Sequence, residues 1–239
     1  MKLEYLQETK PAAVSQQYPS WRTRFVDSVY ASHNSAKAIQ QALGKCLSRL
    51  QVEDVGLNVG AGGTRIHPQV LNLDLNPGEN VDYCGRAEDL PFEDQKFSLV
   101  VTQEVLEHVQ FPHQAVAEMF RVLRPGGTLY CQLPFVIGFH PCPTDYWRFT
   151  KQGIQELLEQ GGFVCEEVGI AVGPGTGFYR IAVEFFAAVA GSLISKLYMP
   201  TKAMAAILLY PLKSLDHLLT RNAAIDRISG GYYVIARKK

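Results

Sequence analysis

Apolar residues along this chain fall into short runs divided by amphipathic stretches. Val55 to Asp74 carries an apolar strand, a glycine turn and a second apolar strand that ends in an acid. Val81–Cys84 makes a short strand, and Phe97-Ser-Leu-Val-Val-Thr is apolar enough for a buried one. Pro112 to Leu123 changes period: Ala115, Met119, Val122 and Leu123 share one side of a helix, which Arg124-Pro-Gly-Gly ends. Thr128–Leu133 is the next strand, Lys151–Gln160 a helix stopped by Gly161-Gly162, and Phe163–Val172 a further strand. Alternating strands and helices predict an α/β fold, a parallel sheet with helices on its faces.

Two regions flank this core. In residues 1–50, Val26, Val29 and Tyr30, and then Ile39, Leu43 and Leu47, recur at helical spacing, with Pro19 and Asn34 as breaks. They predict one or two helices, used either as a cap over the mouth of a site or as cover for the sheet flank. Residues 177–229 are strongly apolar. Arg180, Glu184, Gly191 and Ser195 make one narrow polar stripe while most of the rest from Ile181 to Leu197 is apolar, and Ile207, Leu208, Leu209, Leu212, Leu215, Leu218 and Leu219 continue beyond it, broken by Pro211. Neither run reaches the about 18 uncharged apolar residues of a spanning helix. A helical hairpin is expected, its broad faces buried in the core, under a lid, against a second copy or at a membrane surface over 178–219. The domain plan is 1–50 as N-terminal helical cap, 51–176 as core, 177–229 as insertion and 230–239 as last strand.

The glycine turn carries the first chemistry. Gly60 and Gly62 lack a Cβ, so the backbone turns tightly and approaches a ligand closely. Amides in such a turn can hold an anionic group. Asp74, at the tip of the next strand, is placed to accept from ribose hydroxyls. The dinucleotide fingerprint wants a glycine or alanine where Arg65 stands, and Pro68 leaves room for little more than one helical turn. Both disfavour NAD and point to S-adenosylmethionine.

Composition narrows the field. The 239 residues suffice for one elaborated α/β domain. Lys+Arg and Asp+Glu are both 23, which argues against a large nucleic-acid footprint. The five cysteines, Cys46, Cys84, Cys131, Cys142 and Cys165, show no C-x-x-C pair and suggest reduced thiols. The first residues carry no apolar run of signal-peptide type, so a cytoplasmic or membrane-associated protein is expected.

Five motifs follow in order: Leu-Asn-Val-Gly-Ala-Gly-Gly (57–63), Leu-Asn-Leu-Asp (71–74), Ala-Glu-Asp-Leu-Pro-Phe (87–92), Glu-Val-Leu-Glu-His (104–108) and Arg-Val-Leu-Arg-Pro-Gly-Gly-Thr-Leu (121–129). With them the chain resembles a class I S-adenosylmethionine-dependent methyltransferase of the type 11 branch. The resemblance implies a Rossmann-like seven-stranded sheet whose last strand, Gly231-Tyr-Tyr-Val-Ile-Ala-Arg, runs antiparallel. It implies cofactor contacts from Asn58, Gly60, Ala61 and Gly62 at the methionine end, Asp74 and Leu75 at the ribose, Ala87 and Glu88 at the adenine, and Gln103 at the fourth strand's tip. Arg86 stands where an aspartate often accepts from the adenine amino group, and arginine cannot accept; Glu88 takes that task, or Arg86 faces solvent. Asn58 likewise replaces a common aspartate.

Methyl transfer from a sulfonium needs positioning above all, and a base only if the acceptor must lose a proton. His108 and His140 are the catalytic candidates. Asp145, Tyr146 and Arg148, on the proline-stiffened loop His140-Pro-Cys-Pro-Thr-Asp-Tyr-Trp-Arg-Phe-Thr, are the acceptor-binding candidates; Trp147 and Phe149 are expected to pack. The alternative for Arg148 is a structural ion pair. No metal is expected. An alternative set of Glu104 and Glu107 on one helical turn, with His108 and His140, could bind a divalent cation; methyltransferases acting on RNA 3′ ends and some quinone O-methyltransferases resemble this arrangement. The reading is methyl transfer to the oxygen of a small-molecule or sugar-like acceptor. Its alternatives are a membrane-associated or interaction module that keeps the fold, or a metal-assisted RNA methyltransferase.

Overall fold

A computed structural model describes residues 36–220 and 223–239. The expectations on Pro19, Val26, Val29, Tyr30 and Asn34 lie outside the described residues. Seven strands form one sheet: β1 (Gly56–Val59), β2 (Val70–Asp74), β3 (Tyr83–Cys84), β4 (Phe97–Gln103), β5 (Leu123–Pro134), β6 (Phe163–Val172) and β7 (Gly231–Lys238). Their order is β3-β2-β1-β4-β5-β7-β6. β3, β2, β1, β4 and β5 pair in parallel, and β7 runs antiparallel between β5 and β6.

Alternation along the strands feeds two cores. Leu129, Cys131 and Leu133 of β5, with Val234 and Ala236 of β7, face helices α2 (Pro112–Val122) and α3 (Lys151–Gln160) through Val116, Met119, Ile154 and Leu158. Tyr130, Tyr233 and Ile235 face the other way, onto Ile39, Ala42 and Cys46 of α1 (Lys37–Leu47). So α1, the described part of the N-terminal region, covers the sheet flank. Lys45 and Tyr233 both reach Glu167 on β6, at 2.6 and 2.9 Å, and fasten it there.

Helix α2 and β5 join without a loop. Leu123 is already extended, and Lys238 of β7 donates to the carbonyls of Phe120 and Leu123 at 2.6 and 2.7 Å, satisfying groups the helix end leaves open. The Arg124-Pro-Gly-Gly motif lies inside β5 as an irregularity between the Phe97–Leu123 and Leu99–Thr128 pairings. Helix α3 starts at Thr150, whose hydroxyl accepts the Gly153 amide at 3.0 Å.

The insertion is a hairpin of α4 (Pro174–Leu193) and α5 (Tyr198–Leu209), followed by 3-10 turns and α6 (Asp216–Leu219). It starts slightly before residue 177. The Asp216 carboxylate caps α4, accepting the amides of Gly175 and Thr176 at 2.7 and 3.3 Å. Tyr179 and Val183 pack on Ala205 and Ala206. Glu184 of the polar stripe bonds Tyr198 at 2.6 Å and pairs with Lys202. The other face keeps Phe178, Phe185, Leu193, Ile207, Leu208 and Leu218 exposed. Among the described residues, no helix is long and apolar enough to cross a membrane.

Candidate functional site

A cavity of about 700 Å³ opens at the C-terminal tips of the parallel strands, where ligands of open α/β sheets bind. Its walls come from the β1 turn (Gly60, Gly62), the β2 tip (Asp74, Leu75, Asn76), the segment after β3 (Arg86, Ala87, Glu88), the turn after β4 (Glu104, Val105, His108) and the loop after β5 (Cys142, Thr144, Tyr146).

Gly60 and Gly62 are both left-handed, with φ of 70° and 55°. A Cβ on Gly60 would lie 2.3 Å from Val105, whereas one on Gly62 would meet nothing within 4 Å. Residues 60–69 complete the parallel crossover without a helix. Arg65 holds this loop down, donating to Asp82 at 2.7 Å and to the Val70 carbonyl at 3.2 Å. Gly60 and Ala61 both donate to the Leu73 carbonyl, at 2.8 and 3.1 Å, and Gly62 donates to Asp74 at 2.8 Å. The turn's amides are therefore spent on β2, which corrects the expectation that they face a ligand. What the turn offers is close backbone approach.

Asp74, Leu75, Ala87 and Glu88 line the cavity with the two glycines. Arg86 lines it too and donates to Glu88 at 3.1 Å, so one Glu88 oxygen is already engaged. Three expected contacts lie elsewhere. Asn58 is buried within the sheet, donating to Asn72 at 3.2 Å. Ala61 is buried. Gln103 donates across to Gln132 at 3.2 Å. Asn58 and Gln103 each bond their register partner on the neighbouring strand.

Glu104 does not share a helical turn with Glu107. Its φ is 58° and its amide donates to the Gln132 carbonyl at 2.9 Å, extending the ladder, while only Leu106–His108 form a short 3-10 turn. The motif's first acid thus ends a strand. Gln132 donates to the Glu104 carboxyl at 3.2 Å. Burial pushes both carboxyls well above the usual range, and for Glu107 the neighbouring Glu104 adds to it.

The loop after β5 is stitched to this turn. Tyr146 and Trp147 donate their amides to the Glu107 carbonyl at 2.7 and 3.2 Å, and the Trp147 indole donates to Val109 at 3.0 Å. Phe149 packs on the core. Arg148 grips Asp145 through both its terminal nitrogens, at 2.5 and 2.6 Å, and holds the Asp145 carboxyl down to about 2. Asp145 also accepts the His140 amide at 2.8 Å. Arg148 thus forms the structural ion pair named as its alternative, and its charge and that of Asp145 neutralise each other inside the loop. Tyr146 lines the cavity.

His108 and His140 meet edge to face with ring centroids 5.2 Å apart. Their Nε2 atoms lie 3.7 and 3.9 Å from Glu107 Oε1. Glu107, His108 and His140 thus gather from the alternative metal set, and Glu104 stands outside this group. His108 also lines the cavity. The sequence reading joined His140 to this turn only through that alternative cation set.

Residues 21–131 match the family model of a methyltransferase domain, the type 11 group. The "Probable S-adenosylmethionine-dependent methyltransferase" of Mycolicibacterium smegmatis is 36% identical over 98 residues, 38% of this chain and 38% of that protein. The demethylmenaquinone methyltransferase of Renibacterium salmoninarum is 34% identical over 141 residues, 59% of this chain and 58% of that protein. The chain thus spans well under two thirds of the length of these curated relatives. A solved structure from Galdieria sulphuraria, described as a "putative sarcosine dimethylglycine methyltransferase", shares the fold with a TM-score of 0.50 at 15% identity, over 84% of this chain and 82% of that one. The sheet order and the cavity at the strand tips thus accompany a similarity to methyltransferase domains that covers residues 21–131.

Proposed function

We propose that the protein transfers the methyl group of S-adenosylmethionine to an oxygen of a small-molecule acceptor held beside the Glu104–His108 turn. The observation that carries this is one cavity bearing both Asp74 at the β2 tip and His108 beside the buried Glu107. Asp74 holds the ribose. The turn at Gly60 and Gly62 lets the amino-acid end lie close against the backbone. In the transfer a lone pair of the acceptor oxygen forms the new C–O bond, the C–S bond breaks with its electrons returning to sulfur, and the hydroxyl proton leaves to water at the cavity mouth. The cluster of Glu107, His108 and His140 activates that hydroxyl.

Between a sugar-like and an apolar ring, the apolar one is favoured. A relative is a demethylmenaquinone methyltransferase, and the hairpin exposes Phe178, Phe185, Ile207 and Leu208. Such a surface suits collection of an apolar acceptor from a membrane face.

Isothermal titration of the full chain with S-adenosylmethionine, followed by transfer of label from tritiated cofactor into membrane and soluble extracts, tests the reading. Binding heat and label in the lipid-extractable fraction are expected. Absence of binding at saturating cofactor overturns it.

A further inference from the structure

Glu107 is fully buried, and neither of its carboxylate oxygens has a hydrogen-bond partner among the described residues. A buried acid left so costs free energy unless something absent from the side-chain set pairs with it. Two imidazoles face it at 3.7 and 3.9 Å, beyond hydrogen-bond reach, with Glu104, Arg148 and Asp145 also near.

Both rings have their other nitrogen anchored. His108 Nδ1 meets the Thr144 carbonyl, an acceptor, so Nδ1 carries the hydrogen and Nε2 keeps its lone pair. His140 Nδ1 lies 3.2 Å from the Gly138 carbonyl and 3.3 Å from Arg148 Nη2. That Nη2 already donates to Gly138 at 2.9 Å and to Asp145 at 2.6 Å. Its two hydrogens are spent, so His140 Nδ1 donates to Gly138 and its Nε2 is also a lone pair. Two imidazole lone pairs therefore face the Glu107 carboxyl, and neither ring offers it an N–H. Backbone carbonyls that orient the far ring nitrogen are the usual support of metal-bound histidines.

We infer that Glu107, His108 and His140 bind a divalent first-row cation, two nitrogens and one oxygen on one face of the ion. All three donor atoms lie within 4.8 Å of one another. An ion about 2.1 Å from each donor sets them roughly 3.0–3.5 Å apart, a short contraction from the present spacing. The mixed set suits Mn²⁺ to Zn²⁺ better than Mg²⁺, which takes oxygen ligands.

Because His108 also lines the cavity, the ion's open positions reach the acceptor. On the proposed methyl transfer, which this part of the inference rests on, the acceptor is then an oxygen compound able to ligate a cation. The ion lowers the hydroxyl's pKa, and the proton leaves to water at the cavity mouth.

The test is titration of the full chain with Mn²⁺ followed by electron paramagnetic resonance, with Zn²⁺ as competitor. The expected result is one Mn²⁺ displaced by Zn²⁺, with Glu107→Gln and His140→Ala each weakening it at least about tenfold. Protection against melting by S-adenosylmethionine reports that each variant is folded, and His140→Ala, on a half-exposed side chain, guards against a fold defect in Glu107→Gln. No binding of either ion at about 1 mM, or binding that both variants leave unchanged, overturns the site. Mn²⁺ bound without any cofactor binding keeps the site and removes the methyl-transfer reading instead. With both bound, chelation should abolish transfer and Mn²⁺ restore it.

Discussion

The Asp74 carboxylate accepts the Gly62 amide at 2.8 Å, so the acid expected at the ribose is also the latch of the glycine turn. Its other oxygen accepts the Asn76 amide at 3.1 Å. One side chain thus sets the turn's shape and presents charge to the cavity. Asp74→Asn keeps an oxygen for Gly62 but loses the charge. Affinity for S-adenosylmethionine should fall by about 10- to 150-fold, the value of a hydrogen bond to a charged group, about 1.5–3 kcal/mol. Titration calorimetry measures it, and an unchanged Kd would remove Asp74 from the ribose.

The two glycines of the turn should separate on substitution to alanine. Gly60→Ala places a Cβ 2.3 Å from Val105 at a φ of 70°. Left-handed strain and overlap together cost about 2–4 kcal/mol. Gly62→Ala meets nothing within 4 Å, and only its backbone strain is felt, about 1–2 kcal/mol. Because Gly62 lines the cavity, its added methyl should weaken cofactor binding more than it weakens the fold. Denaturant melts beside calorimetry give both numbers; equal destabilisation of the two would refute the distinction.

Acid should loosen the N-terminal side of the sheet through Glu167. Lys45 first, and the Tyr233 hydroxyl next, hold its carboxyl below the usual range. A depressed folded-state pKa contributes stability above the unfolded value, near 4, and that stability is lost as pH falls through the folded value. Glu167→Gln should therefore flatten stability between about pH 5 and 3 while lowering it modestly at neutral pH. A variant whose acid limb matches the parent's would discount the pair.

The hairpin's outer face predicts vesicle binding. The full chain should float with anionic vesicles, and a Phe185→Asp, Leu208→Asp variant should not, with its melting temperature little changed, since both side chains are exposed. If the parent stays at the bottom of the gradient, the membrane part of the proposed function falls.

Much of the fold was legible because each element carries its own local code. Pro112–Val122 has the apolar spacing of a helix lying on a sheet, and Leu129, Tyr130, Cys131 and Leu133 alternate between two buried faces. Ordered motifs located the cavity as well, and Gly60, Gly62, Asp74, Leu75, Ala87 and Glu88 all reach it.

What the chain could not announce was direction. Asn58 and Gln103 sit at the right strand tips, yet face Asn72 and Gln132 inside the sheet. Glu104 and Glu107 are three apart, but a left-handed residue after β4 breaks the helical spacing that would have aligned them. For Arg148 the sequence left acceptor recognition and a structural ion pair both open, and the structure shows the pair with Asp145.

By itself the sequence determined the alternation of strands and helices, the glycine turn and the acid beyond it, because these depend on contacts within a few residues. Only the tertiary structure decided that Glu107, His108 and His140 share one spot, that the turn's amides are used up on β2, and that Phe185 and Leu208 of the hairpin stay exposed. Those facts depend on segments far apart in the chain meeting in space, and no local pattern encodes the meeting.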